Sequence, residues 1–151
     1  MGGGREYLAT GGFSQYLYEI IGEPYCVNGL KGEMIRKRGV PDGHSALPAY
    51  SNTSDIYFSP DENGVACQGK VYVDRTMVLD FDWSHSHCNK SDGRQFQKGV
   101  VHVQRYEFVK VDEHGRHIFE RLSDEARCMS NYEMKLYGPM IKHFCPTVKF
   151  R

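Results

Sequence analysis

The sequence predicts an α+β domain: a helical N-terminal portion packed on a mostly antiparallel sheet of about four to five strands, with a short C-terminal helix. Three observations carry this. From residue 55 onward, short segments alternate apolar and polar residues between turn signals, the pattern of half-buried strands. Phe13, Leu17, Ile20 and Ile21 recur instead at helical spacing. Ser130-Asn131-Tyr132-Glu133 has the form of a capping box.

Taken in order, Met1-Gly2-Gly3-Gly4 and Gly11-Gly12 make residues 1–12 read as a flexible Gly-rich linker, leaving 13–151 as a single domain. Residues 13–21 read as a helix with Ser14 as N-cap and Gly22 as its end. Lys31, Arg36, Lys37 and Arg38 mark a solvated basic turn or short helix. Residues 39–54, rich in Gly, Pro, Ser and Asn and containing His44, read as a long loop.

Strands follow at 56–58, 65–73 and 75–83, the last placing Met77, Leu79, Phe81 and Trp83 inward and Asp80 and Asp82 outward. A polar loop spans 85–99, and a strand spans 100–111. Asp112-Glu113-His114-Gly115 turns that strand into a hairpin with 117–122. The helix begun at Ser130 is expected to stop at Gly138-Pro139.

Bulk composition narrows the function classes. With 40% apolar and 13% aromatic residues the chain can build a core. Its 19 basic and 19 acidic residues cancel, so no global field draws it to nucleic acid or membrane. The balance is local: residues 51–92 hold 3 basic and 7 acidic side chains, and residues 93–151 hold 11 and 7. Five widely spaced cysteines without a C-x-x-C pair argue for packing thiols over a zinc knuckle or disulfide framework. No membrane-spanning run and no signal peptide is legible.

The chemistry concentrates on one predicted sheet face. Side chains two apart on a strand share a face, about 7 Å apart, so Asp80 and Asp82 look out together. His102, Gln104 and Tyr106 form the polar face of the 100–111 strand, and only one pairing register keeps both apolar faces in the core. That register sets His102 beside the two aspartates, with His85 and His87 at the rim and Lys70 and Tyr72 on the neighbouring strand. Each residue alone has an ordinary structural explanation; it is the joint occurrence of Asp80, Asp82, His85, His87 and His102 that indicates a catalytic site.

Two chemistries fit. In metal-free RNA cleavage, needing no cofactor, two imidazoles act as base and acid, Asp82 orients one of them, and Lys70, Arg94 or Arg105 stabilises charge on the phosphate. In the alternative, Asp82, His85, His87 and His102 ligate zinc or another divalent metal that activates water. A non-catalytic structural or binding module is the third reading.

The tract DFDWSHSH at 80–87 followed by GVVHVQ at 99–104, with the ending from Tyr137-Gly138-Pro139 to Val148-Lys149-Phe150, resembles C-terminal toxin domains of bacterial polymorphic toxin systems, over roughly residues 55–151. The resemblance implies secretion by a specialised system within a larger carrier and action in the cytoplasm of a rival bacterium. It implies an RNA substrate and a cognate immunity protein, and no membrane partner. Many such toxins belong to the barnase–EndoU–colicin–RelE class, in which N-terminal helices pack on a small sheet whose open face cuts RNA. The two aspartates and the neutral net charge depart from a typical basic ribonuclease.

Overall fold

The computed structural model describes residues 5–8, 17–39, 46–115, 117–122 and 125–151. Strands β1 (Arg5–Leu8), β2 (Tyr18–Val27), β3 (Leu30–Lys37), β4 (Ile56–Pro60), β5 (Ala66–Val73), β6 (Thr76–Asp82), β9 (His102–Val111) and β10 (His117–Arg121) share one sheet. Its order is β1-β10-β9-β6-β5-β4-β3-β2, a seven-stranded body extended at one edge by β1. Among the described strands, only the β3–β4 pair is parallel. A small ribbon, β7 (His87–Cys88) with β8 (Gln95–Phe96), leaves the sheet between β6 and β9. The single helix among the described residues is α1 (Asn131–Phe144).

The α+β class is therefore as the sequence predicts, but the N-terminal helical portion is not. Within 13–21, residues 13–16 lie outside the described residues, Leu17 is in a turn and 18–21 open β2; the basic 30–39 stretch is β3 as far as Lys37. The reason is a local turn. Asn28 and Gly29 take φ of 56° and 76°, as a tight two-residue hairpin connection requires, and register Val27 on Leu30. Asp74 and Arg75, at φ 51° and 66°, do the same between β5 and β6.

The sheet buries both faces, which is the second correction to the expected open polar face. On one side α1 covers Met34, Ile56, Phe58, Val71, Phe81, Val103 and their neighbours. On the other, residues 46–54 lie across Tyr18, Ile35, Tyr57, Tyr72, Met77, Tyr106 and Phe119 through Leu47 and Ala49. Phenols tie that segment down: Tyr18 Oη donates to Ala46 O at 3.0 Å, and Tyr72 Oη donates to Pro48 O. Tyr57 Oη accepts from the Asn52 and Thr53 amides at 3.3 and 3.1 Å. Burial on both faces explains why every residue of β4 is buried rather than alternate ones.

The capping box forms as predicted: Glu133 N donates to Ser130 Oγ at 3.1 Å and Ser130 N to Glu133 Oε1 at 2.8 Å. The helix does not stop at Pro139. A proline inside a helix costs about 3 kcal/mol, chiefly through the carbonyl it leaves unbonded four residues back. Here that carbonyl, Lys135 O, accepts from Asn28 Nδ2 at 3.1 Å, as does Leu136 O at 3.2 Å. Continuing the helix buries Met140 and Ile141 completely, about 1.5–3 kcal/mol each, enough to offset the proline. Gly32 admits the helix: a Cβ there would collide with Met140 Sδ.

Candidate functional site

Sheet register assembles the site. Across β6 and β9, Asp82 pairs with His102 and Asp80 with Gln104. Across β5 and β6, Gln68 pairs with Asp82 and Lys70 with Asp80. Across β9 and β10, Tyr106 pairs with Arg121. Directly paired residues share a face, so all eight line one cavity of about 310 Å³, together with His85, His87, Ala46 and Leu47. Its residues run in rows along the strands, His102 and Asp82 at one end, Tyr106 and Arg121 at the other.

At the first end the chain turns back on itself. Asp82 Oδ1 accepts from Ser84 N at 2.8 Å and from Ser84 Oγ at 2.7 Å, closing a turn that returns His85 to the carboxylate. His85 Nε2 stands 3.9 Å from Asp82 Oδ2, and one donor atom from each of Asp82, His85 and His102 lies within 4.8 Å of the others. The His85 and His87 rings stack with His102 at 5.5 and 5.2 Å between centroids, and Phe96 adds a third ring at 5.7 Å.

His102 is 2% exposed, and its Nδ1 is buried without a hydrogen-bond partner. Burial pushes its pKa down to about 4; the Asp82 carboxylate opposes the shift, while His87 and His85 add to it. The ring is thus neutral near pH 7 and carries a lone pair.

His87 is oriented from behind. Asn89 Nδ2 donates to Ala126 O at 2.8 Å, and Asn89 Oδ1 accepts from Ala126 N at 2.9 Å. The same oxygen lies 3.0 Å from His87 Nε2, so Nε2 is the protonated nitrogen of the neutral ring and Nδ1 keeps the lone pair.

In the middle row, where Lys70, Asp80 and Gln104 pair, burial lowers the pKa of Lys70, opposed by Asp80 and reinforced by Arg121. Burial raises that of Asp80, opposed first by Lys70, while Gln68 Nε2 donates to Asp80 Oδ1 at 3.2 Å. Lys70 Nζ and the Arg121 guanidinium lie 5.3 and 5.7 Å from the Tyr106 ring centroid, and Arg121 Nη2 donates to Tyr106 Oη at 3.3 Å.

Of the residues that the sequence singles out, Asp80, Asp82, His85, His87, His102, Lys70, Gln104 and Tyr106 meet in the cavity. Asp80, Lys70, His102 and Gln104 are buried within it rather than displayed on an open face, because residues 46–54 roof this side of the sheet. Three residues lie elsewhere. Tyr72 packs in the core beneath Pro48. Arg105 is exposed on the opposite sheet face, paired with Leu79. Arg94 lines a separate groove with Cys128, Lys149 and Arg151, its Nη2 3.0 Å from Cys128 Sγ. His44 lies outside the described residues.

Sequence reasoning missed Gln68, Arg121 and Asn89. Period-2 counting back from Lys70 reaches Gln68, and the β9–β10 hairpin register reaches Arg121; Asn89 has no local signal. The five cysteines are all free thiols. Among the described residues, no helix is long and apolar enough to cross a membrane. No protein-family model, curated protein or solved structure matches the chain.

Proposed function

We propose that this chain is a metal-dependent hydrolase that cleaves nucleic-acid phosphodiesters, with Asp82, His85 and His102 as ligands of zinc or a related divalent ion. The observation that carries the reading is the convergence of one carboxylate and two imidazoles on a cavity wall, one imidazole buried with a nitrogen that nothing else bonds. Three protein ligands with an open position for water is the usual form of a catalytic zinc site. Ligands around zinc stand roughly 3.3 Å apart when the bonds are about 2.0–2.1 Å, against the 4.8 Å spread here. His85, 61% exposed, has the freedom to close that gap.

In this proposal Asp82 Oδ2 and the two imidazoles hold the ion, which lowers the pKa of a bound water. His87, fixed through Asn89, serves as a fourth ligand or as the base beside it. Asp80 balances Lys70 on the substrate side.

The metal-free alternative, an endoribonuclease using His85 or His87 with His102, draws on the stacked trio of imidazoles. A histidine held neutral down to about pH 4 is a poor proton donor near neutrality, which favours the metal reading. RNA and single-stranded DNA cleavage assayed with and without a chelator decides between them. Loss of cleavage with the chelator and its return with zinc or manganese supports the metal site; chelator-independent cleavage moves the function to the imidazoles alone.

The biological setting proposed is an interbacterial toxin domain, carried by a larger secreted protein and neutralised by an immunity protein that covers the cavity mouth. It rests on the resemblance over residues 55–151, from which the missing N-terminal helices among the described residues depart. Expression in a bacterial host, wild type against His85→Ala, tests it: growth arrest by wild type alone supports a toxin. Equal growth of the two points to a non-catalytic module.

A further inference from the structure

Residues 93–151 carry 11 basic and 7 acidic side chains, and the cavity at Asp82 and His102 takes only Arg121 from those 11. Three of the others, Arg94, Lys149 and Arg151, gather in a separate groove of about 610 Å³. The backbone brings them there. The C-terminal segment runs parallel to residues 99–101, with Lys149 N donating to Gly99 O at 2.9 Å and Val101 N to Lys149 O at 2.8 Å. Extended residues two apart share a side, so Lys149 and Arg151 reach the groove together, and Arg94 meets them from the start of β8. None of the three pairs with a carboxylate among the described residues. Arg151 Nη2 donates to the Asn131 amide oxygen at 2.9 Å, Arg94 Nη2 to Cys128 Sγ at 3.0 Å, and the Lys149 ammonium has no partner among the described residues. No acidic side chain lines the groove. Its floor is aromatic: the Arg94 guanidinium lies over the Phe96 ring, 5.2 Å from the centroid, between the exposed amides of Gln95 and Gln97. The same ring stands 5.7 Å from that of His102, so the groove adjoins the candidate site through one side chain.

We infer that this groove is a binding site for a single-stranded nucleic-acid segment, separate from the cleavage site and beside it. Cations gathered without a carboxylate call for a polyanion, and a sugar-phosphate strand supplies one charge per nucleotide. A guanidinium held over an aromatic ring is a planar cation on which a base stacks, and the amides at 95 and 97 offer donors and acceptors to base edges. A duplex keeps its bases stacked on one another, away from Arg94. An acidic peptide has the charge but no ring for the Arg94–Phe96 platform. A chain of zero net charge holds a polyanion in this way because the positive field is local. The inference rests on the nuclease reading for the groove's part in cleavage, and not for the binding itself.

Binding of a fluorescein-labelled oligothymidylate of about 12 nucleotides is measured by fluorescence anisotropy on the full chain with chelator present. Neither route cleaves it there, since the metal is removed and DNA lacks the 2′-hydroxyl. Affinity is expected to fall with salt at a log–log slope of about −2, as three phosphate contacts on a single strand require. Lys149→Gln, whose side chain has no partner to lose, is expected to weaken binding by about three- to ten-fold and to reduce the slope by about 0.7. Adding Arg94→Gln and Arg151→Gln should remove the salt dependence. Lys110→Gln and Lys135→Gln, exposed cations outside the groove, should stay within about two-fold of wild type. A hairpin duplex and a polyglutamate peptide should each compete at least about ten-fold more weakly than unlabelled oligothymidylate. No binding, binding unchanged by Lys149→Gln and by the triple variant, or equal competition by the duplex or the peptide overturns the inference. Failure of the nuclease reading is distinct: zinc and manganese then bring no cleavage, while the strand still binds and the groove variants still weaken it. Where cleavage occurs, the triple variant should raise KM for the oligonucleotide by about ten-fold or more and leave bis(4-nitrophenyl) phosphate hydrolysis within about two-fold. Equal losses on both substrates would overturn the groove's place outside the cleavage site.

Discussion

Asp82 and His102 face each other directly across the β6–β9 ladder, and His85, turned back by the Asp82–Ser84 hydrogen bonds, completes a group of three donors. The carboxylate keeps one oxygen for the turn and the other for the site. Its neighbour His102 keeps a buried nitrogen bonded to nothing. A structural histidine in that position would be expected to find a partner. The following outcomes are expected from this arrangement.

Acid should destabilise the fold through His102. Unfolded, it takes up its proton near the ordinary value of 6.5; folded, only near about 4. Between these the unfolded chain holds more protons, so stability is full above pH 6.5 and falls as pH drops toward 4. Allowing for the partial screening of the ring, the loss is on the order of 2 kcal/mol. Urea midpoints at pH 7.5 and 4.5 check it, and His102→Gln should flatten the slope over that window.

Asn28→Ala should destabilise by roughly 1–2 kcal/mol, because it uncaps Lys135 O behind Pro139 and places an alanine at positive φ. Thermal unfolding measures the loss. Asn28→Gly relieves the backbone but not the carbonyl, and should fall between the two.

How much of this was legible in the sequence depends on whether the determining contacts are local. Period-2 alternation in 76–82 and 102–106 places Asp80, Asp82, His102, Gln104 and Tyr106 on one face, and all five line the one cavity. The Asp112–Gly115 hairpin and the Ser130 capping box are equally local and equally readable. Residues 18–27 mislead because Leu17, Ile20 and Ile21 fit a helical stripe, while the Asn28-Gly29 turn that makes them a strand sits just downstream. The helix past Pro139 depends on Asn28, more than a hundred residues away. The burial of Lys70 and Asp80 depends on residues 46–54 crossing the sheet, and no periodicity in that segment announces it.

Asn89→Ala should act as the loss of a positioning residue. It frees His87 Nε2 and unties the ribbon from Ala126, and outer partners of this kind are worth about 10–100-fold in metal affinity. Zinc titration of Asn89→Ala against Asn89→Asp checks it: the aspartate, which still accepts from His87, should restore much of the affinity.

Gly32→Ala should cost about 1–3 kcal/mol, since the added methyl meets Met140 Sδ. Pairing it with Met140→Leu in a double-mutant cycle should give a coupling of at least about 0.5 kcal/mol. Additive losses would mean that the helix does not press on β3 at this point.

The most direct measurement is calorimetric titration of zinc into the chelator-treated full chain, beside His85→Ala. One ion per chain, bound at least about ten-fold more weakly by the well-folded His85→Ala, is the result expected of a ligand cluster at Asp82, His85 and His102. Zinc that binds nowhere, or binds both proteins alike, would contradict it.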